Sequence, residues 1–160
     1  MKTHFIRSLV VSCVLSVAVL LPIKSALALH PHDNMAAHAE VQDPWARATF
    51  ALAKTGAAYM TLNNVDNQTI VLSKASVSET LASMTQLHTT SMQDGMMRMQ
   101  ELVGGIEIAP QSGLEFTPGG KHIMIMGLTG PLNAGESIDI TLTFSDDSIK
   151  TVTFPIKDAR

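Results

Sequence analysis

Ser137-Ile138-Asp139-Ile140-Thr141-Leu142-Thr143-Phe144 decides how the rest of the chain is read. Successive side chains of a strand point to opposite faces, so Ile138, Ile140, Leu142 and Phe144 share one apolar face opposite a polar one, the pattern of a half-buried β-strand. Working outward, short β-favouring runs recur around 45–50, 57–65, 69–77, 84–92, 96–103, 106–108, 114–117, 122–128 and 149–156. Turn signals separate them: Asn63-Asn64, Asp94-Gly95, Gly104-Gly105, Pro118-Gly119-Gly120, Gly130-Pro131 and Asn133-Ala134-Gly135. No strong helical pattern and no internal repeat interrupts the series. Many short strands at such spacing predict an antiparallel sandwich or barrel, in a single domain.

Two of these runs carry chemistry. In His122-Ile123-Met124-Ile125-Met126 the period of two sends Ile123 and Ile125 to one face and His122, Met124 and Met126 to the other, so an imidazole and a thioether two residues apart point the same way. The second run is Leu87-His88-Thr89-Thr90-Ser91-Met92-Gln93-Asp94-Gly95-Met96-Met97-Arg98-Met99. Asp-Gly is a strong signal for a two-residue hairpin turn. That turn pairs Gln93 with Met96, Met92 with Met97 and Thr90 with Met99. His88 then lies on the face of Met99 as its diagonal neighbour, with Cβ atoms roughly 7 Å apart. Met92 and Met97 share that side, while Met96 and Arg98 point away. A wider turn would shift the register by one and separate His88 from Met99.

Two imidazoles with two thioethers form an N2S2 set, and the soft, neutral thioether favours Cu(I) over Zn, Mg or Ca. The expected metal residues are His88, Met99, His122 and Met124. Thioethers suit an oxidising compartment, since they form no disulfide and bind without losing a proton, although sulfoxidation would damage them. The competing readings are structural. Seven of the ten methionines fall between Met84 and Met126, and such a stripe on its own is more often adaptable core packing. Each His on its own is as readily a hydrogen-bonded core residue. Trp45 and Arg47 read as packing and capping the first strand, and Arg98 as a solvated surface charge. His30, His32, Met35 and His38 lie in a segment without apolar periodicity, where loose Cu(II) binding competes with the reading of a tail with stray histidines.

Composition narrows the classes further. The 160 residues carry one Cys and a net charge of −3, and the eleven Lys and Arg are scattered, which argues against nucleic-acid binding. Lys2 and Arg7 precede an apolar run from Leu9 to Leu21 and the small-residue site Ala26-Leu27-Ala28, the pattern of a secretory signal cut after Ala28. The run is too short for a membrane span, which needs roughly 20 apolar residues. A lipoprotein reading competes through Val10-Val11-Ser12-Cys13, but it would leave Val14 to Leu21 at the new N-terminus. Cutting after Ala28 removes three cations and no acid, leaving eight cations against fourteen acids, a net charge of −6. The mature chain then has no Cys, which excludes disulfides, zinc–thiolate sites, thiol catalysis and a His2Cys blue-copper centre. No Ser elbow, zinc motif or convergent carboxylate pair marks a hydrolase. The expected organisation is a signal peptide over 1–28, a flexible His- and Met-containing arm over 29–40 and one copper-binding domain over 41–160.

At these residues the sequence resembles the periplasmic copper chaperones of the PCu(A)C family. The resemblance begins at Asp43-Pro44-Trp45-Ala46-Arg47-Ala48 and continues through Ala57-Ala58-Tyr59-Met60-Thr61-Leu62-Asn63-Asn64. It is densest from Leu87 to Met99 and resumes from Pro118-Gly119-Gly120-Lys121-His122 to Leu128, running on to Phe144. The family's metal motif, a His, ten residues, a Met, about twenty-one residues and His-x-Met, falls on the same His88, Met99, His122 and Met124. Here Gln100 to Lys121 is one residue longer than usual, an insertion expected near Gly104-Gly105 or Gln111-Ser112-Gly113. Thr89 stands where some members carry Met, and the His-rich C-terminal tail of others is absent. The resemblance implies a cupredoxin-like Greek-key β-sandwich and no enzymatic activity. It implies a monomeric periplasmic Cu(I) carrier that delivers to the CuA site of cytochrome c oxidase subunit II or to an assembly factor, without nucleic acid or stable membrane insertion. A copper buffer that holds metal without delivering it is the alternative.

Overall fold

The computed structural model describes residues 38–158. The expected signal peptide and the arm residues His30, His32 and Met35 lie outside them. In chain order the strands are β1 (Ala39–Arg47), β2 (Thr55–Asn64), β3 (Ile70–Ser76), β4 (Met84–Gln93), β5 (Met96–Glu101), β6 (Ile106–Ile108), β7 (Gly113–Phe116), β8 (Lys121–Met126), β9 (Ser137–Phe144) and β10 (Ile149–Lys157), with no α-helix among the described residues. Their order in the sheet is β5-β4-β8-β7-β2-β1-β10-β9-β3-β6, with β2 also pairing β8. The sheet folds over on itself at the short parallel junction of β1 and β10, where Ala46 faces Ile156. The half built on β2, β8 and β4 and the half built on β9, β3 and β10 enclose one core. The all-β sandwich expected from alternation is the architecture observed.

The core is the inward face of each alternating strand. On β9, Ile138, Ile140, Leu142 and Phe144 are all buried, as their period of two requires. They meet Leu62 of β2, Leu72 of β3, Ile123 and Ile125 of β8 and Phe154 of β10. Full burial of one such side chain is worth about 1.5–3 kcal/mol. Since Ile123 and Ile125 are pinned in this core, the even-numbered residues of β8 must face outward from it.

Two elements depart from the sequence expectation. The first strand begins at Ala39, well before the run expected over 45–50, and ends at Arg47. A bulge between Gln42 and Trp45, with Asp43 at φ 48°, breaks its alternation and hides it from a reading by period. Ala39, expected in the flexible arm, is buried and pairs with Asn64, and His38 Nδ1 lies 2.9 Å from Asp66 Oδ2. The second departure is Asn63-Asn64, expected as a turn. Strand β2 runs through both, and Asn64 is 2% exposed. Its Nδ2 donates to the carbonyls of Gln68, Ile108 and Ala109 at 2.8, 3.0 and 3.0 Å, while its Oδ1 accepts from the Asp66 N–H at 2.9 Å. This one side chain ties the end of β2 to the end of β6.

Candidate metal centre

The hairpin of β4 and β5 has the register that Asp-Gly predicts. Gln93 pairs with Met96, Met92 with Met97 and Thr90 with Met99, and Asp94 and Gly95 both take positive φ, 52° and 75°. Such a turn matches the twist of the flanking strands, so it fixes the register tightly. On its other side β4 pairs with β8, with His88 opposite His122 and Gln86 opposite Met124. This cross-pairing, between residues far apart in sequence, brings the two His–Met pairs together.

A transverse row therefore crosses five strands on one face: Trp45 of β1, Tyr59 of β2, His122 of β8, His88 of β4 and Glu101 of β5. The ring centroids of Trp45 and Tyr59 are 4.6 Å apart, those of Tyr59 and His122 6.5 Å, and those of His88 and His122 5.7 Å. Met99 lies one row to one side, opposite Thr90, and Met124 one row to the other, opposite Gln86. The two thioethers thus flank the two imidazoles. A cleft of about 420 Å³ opens beside them, lined among others by Arg47, Tyr59, Met97, Met99, His122 and Met124.

Hydrogen bonds assign the imidazole tautomers. His122 is 4% exposed, and its Nδ1 lies 3.1 Å from the Gly120 carbonyl, which only accepts, so Nδ1 is the donor there and Nε2 is the nitrogen left to face a metal. The His88 Nε2–H donates to Gln86 Oε1 at 2.9 Å, which leaves Nδ1 as the lone-pair nitrogen, and that atom is buried without a hydrogen-bond partner. Burial first, then the neighbouring His122, holds the His88 pKa below its usual value of 6.5, while Glu101 pulls it partway back. His88 Nδ1 is thus poised as a neutral donor, the form a metal requires. Among the described residues no group of three or more His, Cys, Asp or Glu could hold a metal. An ion on this face must draw on the thioethers, which selects a soft metal.

Exposure separates the methionines by role. Met60 is buried, but Met92 and Met97 are each 67% exposed and Met99 is 53% exposed. The core-packing reading of the stripe fails for these three, because side chains so open to solvent fill no gap. Arg98 is exposed and on the opposite face of β5, as expected. Arg47, expected only to pack and cap, lies 5.8 Å over the Tyr59 ring, borders the cleft, and has a buried Nε without a partner. Its cation opposes the burial that raises the pKa of the Tyr59 hydroxyl. Sequence reasoning missed Gln86, Glu101, Tyr59 and Gly120. The first two were within reach, since Gln86 shares the face of His88 at a spacing of two and the hairpin register puts Glu101 opposite it. Tyr59 and Gly120 carry no such signal.

Fold and site together define a cupredoxin-like β-domain with a face lined by His88, His122, Met99 and Met124. The sequence pattern described as "Putative lipoprotein LpqE-like" matches residues 39–156. The chain belongs to this LpqE-like family, which is the PCuAC family. It is 40% identical over 119 residues to "Putative lipoprotein Lxx21020" of Leifsonia xyli subsp. xyli, covering 74% of this chain and 69% of that one. Among solved structures, Cu(I)-DR1885 of Deinococcus radiodurans is 31% identical with a TM-score of 0.55, covering 74% of this chain and 78% of that one. The copper-bound PCuAC domain of PmoF2 has a TM-score of 0.62 at 19% identity, over 76% of this chain and 94% of that domain, a likeness of fold.

Proposed function

We propose that this chain is a periplasmic Cu(I) chaperone, not an enzyme, which holds one copper through His88 Nδ1, His122 Nε2 and the sulfurs of Met99 and Met124. It passes the ion to the CuA site of cytochrome c oxidase subunit II or to a copper assembly factor. The observation that carries this reading is the buried, partnerless His88 Nδ1, set beside His122 and flanked by the two thioethers. A buried polar atom without a partner costs about 1–3 kcal/mol, and a metal bond would supply the missing interaction. Membership of the PCuAC family and a Cu(I)-bound relative at 31% identity support copper as the cargo.

Delivery follows from the same geometry. Copper is the cargo, so the site must release it as well as hold it. Met99 lies on the exposed edge strand β5, whereas His122 is anchored in the middle of the half-sheet. The sulfur of Met99 is therefore the first donor an incoming thiolate displaces, and the imidazoles let go last. The neutral donors require no proton on release.

Export completes the reading: residues 1–28 direct secretion and are cut after Ala28, leaving an arm over 29–40 in which His30, His32, Met35 and His38 are candidate Cu(II) donors. The lipoprotein descriptions of relatives favour a second processing, lipid attachment at Cys13. The mass of the exported protein separates the two, since a lipidated chain would begin at residue 13. For the metal, anaerobic competition with a chromophoric Cu(I) chelator should give one tight equivalent, weakened in Met99→Leu and Met124→Leu while the fold is kept. Equal affinity in both variants would contradict the ligand set. Deletion of the gene at low copper should lower oxidase activity. Copper sensitivity with normal oxidase would point to buffering instead.

A further inference from the structure

Met92 and Met97 are two of the four sulfurs on the ligand face that the proposed site does not use; the other two, Met84 and Met126, pair at the far end of β4 and β8. Met92 and Met97 sit opposite each other at the tip of the β4–β5 hairpin, two residues beyond Thr90 and Met99. Hydrogen bonds show which kind of pair they form. The Leu102 N–H donates to the Leu87 carbonyl across the hairpin, and the Thr90 N–H donates away from it, to the Gly120 carbonyl. Odd-numbered residues of β4 are thus bonded to β5, and Met92 and Met97 form a non-hydrogen-bonded pair, the closer kind, with Cα atoms about 4.5 Å apart. Both side chains are largely exposed, so neither is held by the core. Met97 lines the cleft shared by Met99, His122 and Met124 and also borders the shallow depression over Met96–Gln100. The two-residue Asp94-Gly95 turn sets the pair opposite each other.

We infer that Met92 and Met97 form a second, weaker Cu(I) station, through which the ion passes between the four-donor site and an acceptor docked at the hairpin tip. This rests on the copper reading above. In the transfer the bond from copper to Met99 sulfur breaks first, as bonds to the sulfurs of Met97 and Met92 form; the bond to Met124 sulfur and then those to His88 Nδ1 and His122 Nε2 break after it, which leaves copper on the two hairpin sulfurs. The ion stays Cu(I), the thioethers stay neutral, and neither a proton nor an electron moves. Two thioethers without an imidazole hold Cu(I) loosely, which suits a point of departure rather than storage.

The test compares wild type with a Met92→Leu, Met97→Leu double variant and, as control, Met96→Leu on the opposite face. Three quantities are read anaerobically: affinity for the first equivalent, the Met ε-methyl NMR signals on adding a second equivalent as Cu(I)–acetonitrile, and the stopped-flow rate of hand-over to a dithiol peptide. The expected result is an unchanged first affinity in both variants, shifts of the Met92 and Met97 methyls in wild type, and hand-over slowed several-fold in the double variant alone. An unchanged rate, or silent methyls, would overturn the station. A weakened first affinity in the double variant would also overturn it, by placing these sulfurs in the primary site. If wild type takes up no tight first equivalent, the copper reading itself is the one that fails.

Discussion

Asn64 and His88 are both polar side chains on strands of the same half-sheet, and they have opposite fates. Asn64, at the end of β2, has its donors and its acceptor filled: three carbonyls and one backbone N–H surround it. His88, on β4, is bonded at Nε2 and left with a buried, unpaired Nδ1. The first arrangement stabilises the fold, and the second costs stability. Where the fold tolerates such a cost, the unpaired atom marks a place kept for a ligand. Arg47 Nε is the other buried unpaired side-chain atom among the described residues and also borders the cleft, but as an N–H donor it offers no lone pair to a metal.

Substitutions at the two positions should give opposite signatures. His88→Leu removes the unpaired nitrogen, so the apo protein should unfold in denaturant within about 1 kcal/mol of wild type. Its Cu(I) affinity should nonetheless fall beyond the roughly 10–100-fold that outer-shell changes produce. Asn64→Ala should do the reverse, losing about 2–4 kcal/mol of stability because several backbone groups lose their partner at once. Its Cu(I) affinity should stay at the wild-type value. If Asn64→Ala weakened copper as much as His88→Leu does, the distinction between the two ends of the sheet would collapse.

Gln86 tests the intermediate case, a group that orients a ligand without being one. Gln86→Leu frees His88 Nε2 and lets the ring change tautomer, so Cu(I) affinity should fall about 10–100-fold with little change in stability. The smallest effect is in pH. Because burial and His122 lower the His88 pKa below 6.5, the unfolded chain takes up a proton at this residue before the folded one does. Stability contributed here should therefore be constant above the unfolded value and fall as pH drops from about 6.5 toward the lowered folded value. Denaturant midpoints of wild type and His88→Leu across that window should converge as pH rises, and parallel curves would contradict the direction of the shift.

How much of this was legible depended on whether the signal was local. The β4–β5 register was, because Asp94-Gly95 dictates it, and so was the outward face of β8, because Ile123 and Ile125 alternate with it. The pairing of His88 with His122 is a contact between strands joined by a long stretch of chain, and no periodicity reports it; the motif spacing of the family resemblance only implied it. The bulge at Asp43 and Pro44 hid the start of β1, since alternation stops where a residue is added. Asn63-Asn64 was read a step early: β2 runs to Asn64, whose Oδ1 makes the local bond to the Asp66 N–H that favours a turn, while its Nδ2 also reaches across the fold to Ile108 and Ala109. The methionine stripe was ambiguous in sequence, where core filler and open thioethers look alike, and solvent exposure resolved it.

The most direct test of the account is the protonation state of the two rings, read by long-range ¹H–¹⁵N correlation NMR on the apo protein and again with one equivalent of Cu(I). The apo spectrum should show His88 as the Nε2–H tautomer and His122 as the Nδ1–H tautomer, and copper should shift His88 Nδ1 and His122 Nε2 while leaving the protonated nitrogens bonded as before. A His88 ring that carries its proton on Nδ1, or copper that leaves both lone-pair nitrogens unmoved, would contradict the claim that this face is held open for the metal.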